Sequence, residues 1–244
     1  MKQFFKNSIS IRKIKLYFKK NKRIKNNGLN NKIILIKENN QIQELKRITG
    51  LKVNINGNNN VIKIHEPYAF ENCHLTINGD NHLFEVQKIT NPVFSIRNTS
   101  FIMRLGNNNS IKIGKNLSMV GGYIQAEDNN TFITIGDECM FSAEILVRTS
   151  DGHAILDNQT HEVINSGKNI TIGNHVWLSF KTTVLKGSKI GDDSIVATGA
   201  IVTKDYFNQK NVILAGIPAK VVKENINWNW QSIQDYERYK NGTA

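Results

Sequence analysis

A six-residue register in the second half of the chain constrains the fold more than any other feature. Aliphatic residues recur at this spacing at Ile172, Leu178, Val184, Ile190, Val196 and Val202. Four residues after each of the first five stands a small or β-branched residue: Val176, Thr182, Ser188, Ser194 and Ala200. An amphipathic helix repeats every 3.6 residues and a strand every two, so this period excludes both. The pattern predicts a coil of three short flat faces, each with one aliphatic side chain pointing inward.

A longer unit repeats in the first half of the chain. Clusters of Asn, Gly and Asp begin at Asn56, Asn78, Gly106 and Asp128, and each is followed by alternating apolar residues. Asn and Gly tolerate a positive φ, so each cluster suits a tight corner. The alternation after it suits a short strand. Repeats roughly 21 to 28 residues apart indicate a solenoid.

Positive charge is concentrated at the N-terminus. Residues 1–50 hold fourteen Lys or Arg and two Glu, which accounts for the whole formal net charge of +12. We expect residues 1–25 to contact an anionic lipid surface or an anionic polymer. Because no nucleic-acid motif or stacking aromatic accompanies the charge, we do not expect nucleic-acid binding.

Several classes of protein are excluded by what the sequence lacks. The chain contains no run of about eighteen apolar residues and no signal-peptide pattern. Its two cysteines, Cys73 and Cys139, have no CxxC spacing, which fits a reducing compartment. We therefore expect a cytoplasmic protein that residues 1–25 hold peripherally at the inner membrane.

The hexad pattern resembles that of the hexapeptide-repeat acyltransferases. The segments Ile170–Leu178 and Ala215–Lys223 resemble the opening and the end of the last coils in that family. The resemblance implies an all-β fold, a left-handed parallel β-helix, assembled as a homotrimer. We expect a basic N-terminal extension over residues 1–48 and the β-helix over 49–226. Residues 227–244 should form a helical cap whose aromatic side chains cover the open end of the coil.

The hexad register is interrupted once, between Val147 and Ile172. A polar insertion that leaves a solenoid is typical of a functional loop, so loop 148–168 is the candidate catalytic segment. Its phrase Ser150-Asp-Gly-His153 resembles the loop of sugar O-acetyltransferases that modify bacterial capsule and lipopolysaccharide, including polysialic acid O-acetyltransferases. The resemblance implies that His153 is the catalytic base that deprotonates a sugar hydroxyl. Either Asp151 or Asp157 is a candidate to orient its ring. His161 either contacts substrate from the same loop or faces solvent.

Trp177 occupies an outward position of its hexad, where an exposed indole needs a partner. Packing against another subunit and a role as a wall of the acyl-donor site are both open, and in the family a Trp at this position contributes to activity. The resemblance also implies acetyl-CoA as donor. The matching donor-binding positions are Trp177, Ser179, Phe180, Thr198, Gly199, Thr203, Lys204, Lys220 and Lys223. Basic residues near the end of the coil suit the nucleotide phosphates.

The favoured function is therefore acetyl transfer from acetyl-CoA to a hydroxyl of a surface glycan, such as a sialic acid capsule polysaccharide or a lipooligosaccharide. The alternative is an N-acetyltransferase acting on an amino sugar nucleotide. A metalloenzyme such as a γ-class carbonic anhydrase would need three His ligands on adjacent coils. His153, His161 and His175 are available, but the close His pair of those enzymes is missing, so no metal is expected. A non-catalytic scaffold is disfavoured by the loop histidine and the outward Trp together.

Overall fold

A computed structural model of the protein describes residues 24–242. The first strands along the chain are β1 (Lys25–Asn26), β2 (Lys32–Ile36), β3 (Ile42–Glu44), β4 (Leu51–Asn56), β5 (Val61–His65), β6 (Phe70–Glu71), β7 (Cys73–Asn78), β8 (Leu83–Val86), β9 (Ile96–Arg97), β10 (Thr99–Arg104), β11 (Ser110–Ile113) and β12 (Ser118–Met119). The others are β13 (Gly122–Glu127), β14 (Phe132–Ile135), β15 (Met140–Phe141), β16 (Ile145–Arg148), β17 (Ile170–Ile172), β18 (Trp177–Leu178), β19 (Thr183–Leu185), β20 (Lys189–Ile190), β21 (Ile195–Val196), β22 (Ile201–Val202), β23 (Asp205–Tyr206), β24 (Ile213–Ala215) and β25 (Lys220–Lys223). The helix α1 spans Ile233–Lys240.

These strands form three sheets that the chain visits in turn. Sheet A has the order β1-β4-β7-β10-β13-β16-β19-β22. Sheet B has the order β23-β20-β17-β14-β11-β8-β5-β2-β3, and sheet C has β25-β24-β21-β18-β15-β12-β9-β6. Neighbouring strands are parallel except at two sheet ends, where β3 pairs antiparallel with β2 and β25 with β24. The result is a parallel β-helix with three faces.

The core is a column of inward side chains that follows the sequence pattern. All six aliphatic residues of the hexad register are buried, as are the five small residues that follow at the corners. Ile135, Phe141 and Val147, which carry the same period ahead of the loop, are buried as well. In the first half, strands such as β4 and β7 alternate buried and more exposed residues. The predicted inward positions are therefore confirmed.

Ahead of loop 148–168, the corner between sheets A and B is joined by a ladder of buried and half-buried polar side chains. The Oδ1 atom of Asn31 accepts the N–H of Asn60 at 2.8 Å, and that of Asn60 accepts the N–H of His82 at 2.8 Å. Nδ1 of His82 then accepts the N–H of Asn109, whose own Oδ1 accepts the N–H of Thr131. Each coil is thereby hydrogen-bonded to the next by a side chain as well as by its strands.

The β-helix begins earlier than the predicted boundary at residue 49. Strand β1 pairs with β4, and β2 pairs with β5, so a coil already exists within the segment 1–48. Its corner from Asn26 to Asn31 precedes the buried Ile33 and Leu35, which repeats the Asn-rich unit of later coils. The basic residues around this unit obscured it in the sequence. The remainder of the predicted basic segment, residues 1–23, lies outside the described residues.

The predicted short C-terminal helix is confirmed, but the segment does not cap the coil. Helix α1 starts after Ser232, whose hydroxyl accepts the N–H of Asp235, and none of its residues is buried. Trp228 and Trp230 precede the helix and pack along the flank of sheet C, against His175 and Phe94 respectively. They do not cover the open end, because the chain turns back after β25 and runs beside the coil.

Within residues 24–242, no helix has both the length and the apolar character needed to cross a membrane.

Candidate active site

Loop 148–168 leaves the coil at the corner between sheets A and B. Adjacent coils near it place hydrogen-bonded residues 22 positions apart, as at Thr131 and Asn109, but 37 apart across the loop, at Phe132 and Asn169. The loop is itself ordered. The N–H of Ile164 donates to the carbonyl of Ile155, and Leu156 and Val163 form an antiparallel bridge. The insertion is thus a folded projection with a fixed base.

His153 lies at the rim of a cleft of about 350 Å³ beside this loop. The cleft is also lined by Leu105, Asp128, Asn129, Ser150, Gly152, Ala154, Val163, Asn165, Ser166 and Gly167. The carbonyl of His153 accepts the Asn165 side-chain N–H at 2.8 Å, which fixes the backbone. The ring is exposed, and within residues 24–242 it makes no hydrogen bond. The backbone is fixed, while the ring nitrogens are free to accept a proton from a substrate.

Asp151 points toward a lysine and an asparagine. Its Oδ2 atom accepts hydrogen bonds from Lys186 Nζ and from Asn165 Nδ2. The hydrogen bond from Lys186 lowers the pKa of Asp151 below its usual value, and the hydrogen bond from Asn165 adds a smaller effect in the same direction. The carboxylate is therefore ionised at neutral pH and holds the base of the loop.

Asp157 also has a partner other than the His153 ring. Its Oδ1 atom accepts the backbone N–H groups of Gln159 and Thr160, each at 2.8 Å. These bonds, that of Thr160 first, lower the pKa of Asp157. His161 ends the same turn with a φ of 59° and is exposed to solvent. In this arrangement neither candidate carboxylate contacts the His153 ring.

A buried carboxylate lies below the loop. Glu127 has a fully buried side chain, and its two oxygens accept Nε–H bonds from Arg104 and Arg148, both at 2.7 Å. Sequence reasoning missed this group because its partners are 23 and 21 residues away. The available signal was that Arg104 and Glu127 both end a strand directly before an Asn-rich corner, and they are register partners on sheet A.

Trp177 faces outward from sheet C, as expected, but a residue of the same chain covers it. Trp228 lies 5.9 Å from it, and it also stacks nearly parallel on His175 at 4.0 Å. The Trp228 indole N–H donates to the His175 carbonyl at 2.8 Å. Met140, Trp177 and the C-terminal segment enclose a second cleft of about 870 Å³. Nothing in the local sequence around Trp177 indicated this contact.

The predicted donor-binding residues other than Trp177 lie in three places. Phe180, Thr198 and Gly199 meet at the corner between sheets C and A, where the Gly199 N–H donates to the Phe180 carbonyl. Ser179 is buried there, and its carbonyl accepts the Thr182 hydroxyl. Thr203 and Lys204 lie at the corner between sheets A and B. Lys220 and Lys223 are exposed on β25. One chain therefore does not gather these residues, Trp177 and His153 around one cleft.

The three candidate histidines are also separated. His153 and His161 lie in the loop at the corner between sheets A and B, whereas His175 lies at the corner between sheets B and C. His175 Nδ1 is 2.9 Å from Asp193 Oδ1. In the described part of the chain, no cluster of three or more His, Cys, Asp or Glu side chains has the arrangement of a metal site.

Comparison with solved structures shows which known proteins share this architecture. No family model matches the chain. The structure superposes on the crystal structure of the polySia specific acetyltransferase NeuO with a TM-score of 0.68 at 25% identity, covering 91% of this chain and 98% of that one. The fold is thus that of an acetyltransferase built on a left-handed parallel β-helix.

Sequence relatives give the family. The polysialic acid O-acetyltransferase of Neisseria meningitidis is 30% identical over 201 residues, which are 82% of this chain and 86% of that protein. The polysialic acid O-acetyltransferase of Escherichia coli O1:K1 / APEC is 34% identical over 116 residues, but the match spans only 37% of its length. The chain belongs to the hexapeptide-repeat acetyltransferase family that includes the polysialic acid O-acetyltransferases.

Proposed function

We propose that the protein transfers the acetyl group of acetyl-CoA to a hydroxyl of an acidic bacterial surface glycan, with His153 as the general base. One observation carries the proposal. An ordered loop leaves the coil and presents an exposed histidine at the rim of a cleft. The chain aligns over 82% of its length, at 30% identity, with a polysialic acid O-acetyltransferase.

The chemistry needs a base at this position. A sugar hydroxyl attacks a thioester only when its proton is removed, and a neutral imidazole does this near neutral pH. The hydroxyl oxygen forms a bond to the acetyl carbonyl carbon, and its proton passes to the His153 ring. The tetrahedral oxyanion then collapses, the C–S bond breaks, and the thiolate of CoA takes the proton from the imidazolium. The free ring of His153 supports this role.

The donor side is proposed from family positions. Trp177, Ser179, Phe180, Thr198, Gly199, Thr203, Lys204, Lys220 and Lys223 would hold acetyl-CoA, with the lysines on its phosphates. The chain's own surface fits this in part, since Phe180 is exposed and Lys204, Lys220 and Lys223 are free of ion pairs among the described residues. Because these groups lie apart from His153, we propose a homotrimer in which a neighbouring copy completes the site.

The basic segment of residues 1–25 is proposed to hold the enzyme on the cytoplasmic face of the inner membrane, or on its acidic acceptor. Lys and Arg attract anionic lipid headgroups at close range. Deleting residues 1–23 should shift the protein out of the membrane fraction without loss of turnover on a short oligosaccharide.

The test of the proposed function compares two histidines of the same loop. Thiol release from acetyl-CoA is measured with polysialic acid oligomers, a neutral oligosaccharide and an amino sugar nucleotide. We expect release with the acidic oligomer, and His153→Asn should lower kcat by about 10² to 10⁴. His161→Asn is the comparison variant, since Asn tolerates the positive φ there. Loss of a substrate contact changes KM for the oligosaccharide, whereas loss of the base lowers kcat, so His161→Asn should retain normal kcat. Full activity of His153→Asn, or release only with the amino sugar nucleotide, would reject the proposal.

A further inference from the structure

The ion cluster below the loop combines features that stability alone does not require. Glu127 is fully buried, yet the two arginines that hold it are partly exposed, with 45% and 28% of their side chains accessible. Burying ions is expensive, and replacing such clusters with apolar residues is often neutral or stabilising. One role of such a cluster is to fix the shape of the backbone around it, because charge-assisted hydrogen bonds are directional.

Arg148 connects this cluster to the loop. It is the last residue of β16, and its guanidinium packs directly against Gly152. A Cβ atom at Gly152 would lie 2.4 Å from Nη2 of Arg148, and Gly152 has a φ of +82°. Only glycine allows both this contact and this backbone conformation. The residue after Gly152 is His153, so the guanidinium supports the turn that carries the proposed base.

Hydrogen bonds from Asn165 and Lys186 give the turn a second support. Asn165 Nδ2 donates to the His153 carbonyl at 2.8 Å, and Lys186 Nζ donates to the Asn165 carbonyl at 2.6 Å. The backbone around His153 therefore has two supports, Arg148 at Gly152 and Asn165 at the His153 carbonyl. Glu127 determines the position of Arg148, because it binds the Nε–H group and leaves the end of the guanidinium against Gly152.

We propose that Glu127 and Arg148 are positioning residues for His153, acting through Gly152. This inference rests on the proposed function of His153. Arg104 binds the same carboxylate at the same distance, but it has no contact with Gly152. Arg104 is therefore the matched control for Arg148. Loss of either arginine leaves Glu127 with one partner, and loss of Arg148 also removes the support of the loop.

The experiment compares Arg148→Gln with Arg104→Gln in the full-length protein. Hydrogen exchange of peptides covering residues 148–156 should be faster in Arg148→Gln and unchanged in Arg104→Gln. Thiol release with polysialic acid oligomers should show kcat lower by about 10-fold to 100-fold in Arg148→Gln at a similar KM for acetyl-CoA, because a small misplacement of a base has a large effect. The effect in Arg104→Gln should stay within about threefold.

Two further variants make the interpretation specific. Glu127→Gln keeps the side-chain volume and should reproduce the kcat loss of Arg148→Gln. In the His153→Asn background, Arg148→Gln should cause no additional loss, since a positioning residue has no effect once the positioned group is gone.

Equal losses in the two arginine variants, or additive losses with His153→Asn, would overturn the positioning role while the proposed function stands. If His153→Asn retains full turnover, the proposed function is wrong. Hydrogen exchange of residues 148–156 would then still decide whether Arg148 supports the turn. Unchanged hydrogen exchange in Arg148→Gln would overturn the inference by itself.

Discussion

The corner between sheets A and B is built in two different ways before and after loop 148–168. Before the loop, buried Asn and His side chains form a ladder, and glycines stack where the coils approach most closely. After the loop, the same corner holds a small buried residue, Ser188, whose hydroxyl donates to the Val202 carbonyl at 2.8 Å. Its glycine, Gly187, has more room.

The difference shows that one solenoid accommodates two kinds of corner. From β4 to β14, the early coils have strands of four to six residues on sheet A and sheet B, and amide side chains satisfy the backbone where the chain turns. The later coils repeat at 18 residues, as Asn174 and Asp192 show, and small side chains suffice. The loop emerges at the boundary between the two, directly after the ladder reaches Thr131 and Thr149.

The largest expected difference concerns the glycines. A Cβ at Gly57 would lie 1.9 Å from the carbonyl oxygen of Gly79, so Gly57→Ala must displace backbone and should lower the free energy of unfolding by about 3 kcal/mol. At Gly187 a Cβ would meet only the flexible Lys168 side chain, at 3.3 Å. Gly187→Ala should lower the free energy of unfolding by about 1 kcal/mol, from its positive φ. Urea unfolding measures both, and equal losses would contradict the distinction between the corners.

A smaller difference is expected for the polar groups at the same corner. Asn109→Ala leaves the N–H of Thr131 and the carbonyl of Ala126 without the Asn109 side chain, which should lower the free energy of unfolding by about 2 to 3 kcal/mol. Ser188→Ala removes one hydroxyl donor and should lower it by about 1 kcal/mol. A larger loss in Ser188→Ala would show that the ladder is not what holds the early coils together.

The smallest effect is a dependence of stability on pH. Burial lowers the pKa of His82, so the folded protein keeps this ring neutral where the unfolded chain, with an ordinary pKa near 6.5, becomes protonated. As pH falls below about 6.5, the unfolded state binds more protons and the free energy of unfolding decreases. His82→Asn should fit the ladder, since Asn60 and Asn109 occupy the adjacent positions, and should flatten the dependence of Tm on pH between 7 and 5. An unchanged slope would assign the effect to other groups.

The parts of the fold that depend on local repetition could be predicted from the sequence. Each inward residue of the hexads, such as Leu178 and Val184, is surrounded by equivalents of itself, so its position follows from the period alone. The coil that contains Ile33 and Leu35 follows the same rule, but the basic residues around it hid the pattern.

Contacts between distant segments could not be predicted in this way. The pairing of Glu127 with Arg148 depends on which outward side chains become neighbours when coils stack, and on the turn that covers them. Trp228 reaches Trp177 because the chain reverses after β25, and no local pattern specifies that reversal. The role of His153 remains a prediction that rests on the resemblance and on the exposed ring.

The regular stacking of sheet A also fixes a height. Strands β1 and β16 are the first and sixth in that sheet, and parallel strands are about 4.8 Å apart, so the described chain begins about 24 Å below the base of the loop. The early coils therefore set the distance along the coil axis between residue 24 and the loop that carries His153. Adding or removing one coil with an Asn-rich corner would change that distance by one strand spacing, about 4.8 Å, and would leave the loop unchanged.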